Sequence, residues 1–278
     1  MAYKTILVHV DDSPQWPGRF EVAANLAADF SAHLVGLCLQ RRPELPGYIR
    51  SAEIAEMLAQ RARDADARVQ QSRKMLLDRL AAQGISGECR IVEGEPEELA
   101  SVHGRYADLL IVSQVDPNAP NASAAMDAVQ SVIFAAGRPL LLVPYAGKVK
   151  TLGKNVFVGW NASREATRAV TDALPLLQRA DKVTVMVVRP GSDPRVHGEV
   201  PGADIAGYLA RHGVKVDVMA EEGEGIDVGE LMLSRVADLS CDLVVMGAYS
   251  HSRLREWILG GATRTMLESM TVPVLMSH

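Results

Sequence analysis

The feature that most constrains this chain is that it runs through one pattern twice. Lys4-Thr-Ile-Leu-Val-His-Val-Asp11-Asp-Ser13 is an apolar run that ends in an acid and a serine. Lys154-Asn-Val-Phe-Val-Gly-Trp-Asn161-Ala-Ser163 repeats it 150 residues later. Ala107-Asp108-Leu-Leu-Ile-Val-Ser113 is matched by Cys241-Asp242-Leu-Val-Val-Met-Gly247, now 134 residues later. The closing runs at Pro139 and Pro273 keep that second spacing. A repeat of this length is a domain rather than a solenoid unit. The first copy carries about 16 extra residues in its middle. They fall in a long helical pattern over 51–83 that stops at Gly84, against a short helix near 201–212 that stops at Gly213.

Within each copy, apolar runs of strand length alternate with helical patterns. Strands are expected at 4–10, 33–40, 87–92, 108–113 and 139–143, then at 155–160, 182–188, 214–219, 242–247 and 272–276. Helices are expected at 17–31, 51–83, 95–105 and 125–136, then at 163–179, 202–212, 226–239 and 259–270. The strands are near-continuous Val, Ile, Leu and Met, which marks sheets covered on both faces. The reading is an α/β fold: two repeats of a five-stranded open parallel sheet with helices on both faces. Domain limits are placed at 1–146 and 153–278, joined by the Gly- and Lys-containing stretch 145–153. In such sheets a ligand sits beyond the carboxyl ends of the strands, where strand order reverses. That points to the loops after the first and fourth strands of each copy.

Composition narrows the class. The net charge of −5 argues against a general nucleic-acid binder. No apolar run approaches the roughly 18 residues that span a bilayer, and the amino terminus has no leader-like shape, so a cytoplasmic location is expected. Cys38, Cys89 and Cys241 form no CxxC pair, so neither a disulfide framework nor a zinc site is expected. No metal-ligand spacing and no Gly-x-Ser-x-Gly elbow occurs. No catalytic or metal residues are therefore assigned. His9 and His33 read as structural, and Glu93-Gly-Glu95-Pro96-Glu97-Glu98 as a solvated helix start.

The loop after the ninth strand is the strongest chemical signal. It runs from Gly247 through Ser250, His251, Arg253 and Arg255 to Gly260, Gly261, Ala262, Thr263 and Arg264. Glycine permits close backbone approach and positive φ. A helix opening at Gly-Gly directs free N–H groups and a dipole at an anion, and the arginines add charge. A phosphate-bearing ligand fits, with Ser250 and Thr263 as added hydroxyl donors.

This spacing resembles the nucleotide loop of the universal stress protein family, Gly-x2-Gly-x9-Gly-Ser/Thr. Asp11 with Ser13, Glu93-Gly-Glu-Pro96 and Val272-Pro273-Val274 are similar to further marks of that family. The resemblance extends over the chain twice and implies a tandem protein. It further implies a Rossmann-like, adenine nucleotide alpha hydrolase-like fold, in which ATP or AMP, with Mg accompanying ATP, is held by Asn161, Val188, Gly247, Ser250, Gly260, Gly261, Ala262 and Thr263. Ser250 stands in place of a glycine, Gly261 in place of Ser or Thr, and Asn161 in place of Asp. The first copy has Ser113, Asp116, Met126 and Asp127 at the loop positions, with no glycine, no basic residue and two acids. It is expected to be a structural partner or to take a different, uncharged ligand. The implied function is a stress-response regulator or chaperone-like factor that pairs its halves through their last strands and forms a homodimer. A nucleotide-free scaffold and a slow ATPase are the alternatives.

Overall fold

The computed structural model describes residues 2–40, 52–94, 100, 102–189, 200, 202–222, 227–249 and 261–278. Ten strands form one sheet. In the first half these are β1 (Thr5–Val10), β2 (His33–Gln40), β3 (Gly87–Glu93), β4 (Leu109–Ser113) and β5 (Leu140–Val143). In the second they are β6 (Asn155–Trp160), β7 (Lys182–Arg189), β8 (Val216–Glu222), β9 (Leu243–Gly247) and β10 (Val274–Ser277). Helices α1 (Trp16–Phe30), α2 (Ala52–Gln83), α3 (Ala122–Ala135), α4 (Arg164–Leu177), α5 (Ala203–Arg211), α6 (Val228–Asp238) and α7 (Gly261–Ser269) cover it.

The sheet order is β3-β2-β1-β4-β5-β10-β9-β6-β7-β8. Each half is parallel within itself, and the halves join where β5 meets β10 antiparallel, with Leu141 opposite Leu275. Leu140, Leu141, Leu142, Val274, Leu275 and Met276 are all buried there, so the seam is apolar on both faces.

Strand residues alternate between two core layers. Ile6, Val8 and Val10 face one layer with Phe20 of α1, Leu76 of α2, Val170 of α4 and Leu209 of α5. Leu7 faces the other with Ile133 of α3, Val236 of α6 and Met266 of α7. Helices on both faces explain why the strands read as continuous apolar runs.

Local signals act as the sequence suggests. Gly84 and Gly213 stop α2 and α5 with φ of +64° and +77°. Ser163 caps α4 by accepting the Ala166 N–H at 3.1 Å. Most element ends shift by one to three residues. Helix α3 starts at Ala122, three residues before its expected start. Of the expected helix 95–105, residues 100 and 102–104 are helical, while Glu95, Pro96, Glu97 and Glu98 lie outside the described residues.

Polar ties cross the seam. The Tyr3 hydroxyl donates to Asp172 O at 2.7 Å, and Arg179 Nη1 to Asp29 O at 2.8 Å. Buried Gln114 donates from Nε2 to Leu267 O and accepts the Tyr145 N–H on Oε1. The Tyr249 ring stacks on Phe134 of the other half, centroids 4.5 Å apart.

Candidate functional site

In the second half β6 lies between β7 and β9. The chain therefore leaves β6 to one side and returns to the other. The ends of β6 and β9, at Trp160-Asn161 and Gly247, flank the crevice where such sheets take ligands. A Cβ on Gly247 would lie 2.4 Å from Ala166 N and 2.6 Å from Glu165 C, the backbone of α4's first turn. Glycine is required there because the helix start packs directly on the strand end.

Asn161 is exposed at the mouth of this crevice. Its Oδ1 accepts the Ser163 N–H at 3.1 Å, and Ala162 between them has φ of +57°. Asp11 builds the same turn in the first half, accepting the Ser13 N–H at 3.1 Å and its hydroxyl at 2.7 Å. The two turns differ in what lies behind them. Arg19 of α1 is 1% exposed and donates from Nη2 to Asp11 Oδ1 at 2.8 Å. The position equivalent to Arg19, 150 residues on, is Ala169, also buried. The acid is matched by a buried cation, and the amide by an apolar residue. Sequence reading missed Arg19. The available signal was an arginine on the apolar face of α1, between Trp16, Phe20 and Ala23.

Beyond β9 the chain leaves through Tyr249, φ +59°, and α7 begins at exposed Gly261. The Tyr249 N–H donates to Thr263 Oγ1 at 3.2 Å, and Thr263 is buried. Thr263 thus ties Tyr249 to the first turn of α7. Ala262 beside it is half-buried. Arg264 pairs with Glu268 at 2.8 Å along α7. It lines a cleft shared with Met126 and Asp127 of α3 rather than the crevice. Asp227 caps α6 through the Glu230 N–H, and its Oδ2 lies 3.4 Å from where a Cβ on Gly261 would stand. Val188 lies in β7 in register with Glu221. Ser250 and Gly260, with His251, Arg253 and Arg255, lie outside the described residues.

The first-half loop is shorter than the repeat spacing suggests. With α3 starting at Ala122, Met126 and Asp127 are inside the helix and do not stand at its N-terminus. Asp116 Oδ1 accepts the Asn118 N–H at 2.9 Å. His9 Nδ1 lies 3.5 Å from Asp11 Oδ2, and burial together with the Arg19 charge lowers the imidazole to about 4. Burial alone would raise the Asp11 carboxyl, but Arg19 and the Ser13 hydroxyl outweigh it and hold the group below its usual range.

Cys38 and Cys89 are far apart in sequence, yet β2 and β3 bring their Sγ atoms to 3.5 Å as free thiols. Among the described residues no group of three His, Cys, Asp or Glu could hold a metal ion, and no helix is long and apolar enough to cross a membrane.

Residues 153–278 match the family described as the Universal stress protein family. A universal stress protein from Archaeoglobus fulgidus aligns over 98% of this chain and 95% of its own, at 16% identity and a TM-score of 0.72. A functionally unknown protein from Pseudomonas aeruginosa aligns over 99% and 92%, at 15% identity and a TM-score of 0.63. No curated protein matches the chain.

Proposed function

We propose that this chain, whose residues 153–278 belong to the universal stress protein family, is a stress-response protein that holds an adenine nucleotide in its second half. The ligand is ATP or AMP, with Mg accompanying ATP. The occupied protein acts as a regulator or chaperone-like factor.

The observation that carries the reading is the meeting of three features at one end of the sheet. Asn161 is exposed at the end of β6, Gly247 closes the neighbouring β9, and α7 opens beyond them on exposed Gly261. A helix start facing a switch-point crevice suits a phosphate. Asn161 offers an amide to the base or ribose end.

Asp227 favours a second reading, a nucleotide-free scaffold. The Asp227 carboxylate stands beside the first turn of α7, where it opposes an anion. Calorimetric titration with ATP and Mg separates the readings. Saturable heat at one site per chain, lost in Gly260→Asp, supports nucleotide binding. No heat up to millimolar ATP overturns it in favour of the scaffold.

A further inference from the structure

The first half has a cavity that the nucleotide reading does not use. About 610 Å³ of space lies between the sheet and α3, opening at the ends of β1 and β4. That is the size range of pockets that enclose a small ligand. Its floor is Leu7, Leu37 and Leu110 of the sheet, and its roof is Ala125, Ala128 and Val129 of α3.

The two halves explain why the space exists. Leu7 corresponds to Phe157, Leu37 to Met186 and Val132 to Met266. Phe157, Met186 and Met266 are fully or nearly fully buried, and they fill the same layer of the second half. His9 corresponds to Gly159. Met232 covers Gly159 so closely that a Cβ there would meet Met232 Cε at 2.6 Å. The first half has smaller apolar groups at these places, and His9 faces the space they leave.

The mouth is a built polar site. Arg19 is buried at its wall, with Nε on His9 O, Nη1 on Ser113 Oγ and Nη2 on Asp11 Oδ1. Among the described lining residues Arg19 is the one permanent cation, and all three of its nitrogens are engaged. Asp11 balances that charge, and Asp116 adds a further negative one at the rim. Among the described lining residues an anionic head entering here meets carboxylates and no uncommitted cation. A donor head meets acceptors in Asp11 and Asp116.

We propose that this first-half cavity binds an apolar small molecule that carries a neutral or cationic hydrogen-bond donor, an alcohol or an amine, with its body under α3 and its donor toward Asp11 and Asp116. The site is separate from the second-half crevice and excludes phosphates and carboxylates.

N-Phenyl-1-naphthylamine is the probe, since it is apolar, neutral and bears one N–H. Its fluorescence with the full chain is expected to saturate at one site. Ala128→Trp, which fills the space from the roof, is expected to weaken binding at least tenfold. The anionic analogue 1-anilinonaphthalene-8-sulfonate is expected to bind at least tenfold more weakly than the neutral probe. Neither millimolar ATP nor Gly260→Asp should displace the probe, which keeps this result distinct from the nucleotide titration. If circular dichroism shows Ala128→Trp unfolded, Ala125→Trp at the outer roof serves in its place. No saturable binding overturns the proposal. So does unchanged affinity in a folded roof variant, equal affinity for the sulfonate, or displacement by ATP.

Discussion

Replacing Arg19 by methionine tests the reasoning about the first-half turn most sharply. Methionine keeps most of the buried stem volume and removes the guanidinium. Three hydrogen bonds are lost, to His9 O at 2.8 Å, to Ser113 Oγ at 2.5 Å and to Asp11 Oδ1 at 2.8 Å. Asp11 is then left without its partner. Breaking a fully buried pair from one side costs about 3–5 kcal/mol. The Asp11 side chain is 28% exposed, so water relieves part of that, and the expected loss is about 2–3 kcal/mol. At about 2–4 °C per kcal/mol for larger domains, the melting temperature should fall by about 4–12 °C. Pairing the change with Asp11→Asn removes the stranded charge and imitates the neutral turn at Asn161. The double variant should recover about 1–2 kcal/mol relative to the sum of the single changes. Urea denaturation of the four proteins reads this coupling. A loss below about 0.5 kcal/mol for Arg19→Met, or strict additivity, would refute the claim that Arg19 exists to neutralise Asp11.

Three other expectations follow from the same geometry. Gly247→Ala forces a Cβ against the backbone of Glu165 and Ala166; it should cost about 1–3 kcal/mol by urea titration and open the β9–α4 contact beside the crevice. His9 is lowered from 6.5 to about 4 in the folded chain, so the unfolded chain binds the extra proton; stability is complete above pH 6.5 and falls as pH drops toward 4. The full gap corresponds to at most about 3 kcal/mol; with 32% of the side chain exposed, about 1–2 kcal/mol is expected, and His9→Gln should flatten the melting profile over that window. Tyr249→Phe removes a buried hydroxyl that has no hydrogen-bond partner among the described residues; thermal melting should be unchanged or rise by up to about 1 kcal/mol equivalent.

The repeat and the continuous apolar strands were sufficient to read the sheet, because the central strands are buried on both faces and each helix by one. They were also sufficient to locate the crevices, since strand order follows from right-handed crossovers. What the sequence did not carry was pairing across distance. Arg19 read as one more helix residue until α1 packed on β1 and β4. Cys38 and Cys89 read as widely spaced until β2 and β3 set them side by side. The contact of Thr263 with the Tyr249 N–H was likewise not legible, because side-chain direction at a helix start depends on what packs behind it. The first-half cavity was invisible for a related reason. A run of alanines in α3 gives a good helix whether or not anything fills the space beneath it.

The central claim is that the second half holds an adenine nucleotide. The most direct measurement is the nucleotide content of the full chain purified without added ligand, denatured, and resolved by chromatography with mass detection. The account predicts adenylate released in a fixed ratio of one per chain from the wild type and none from Gly260→Asp. Protein free of nucleotide that also fails to take up ATP on incubation would contradict it.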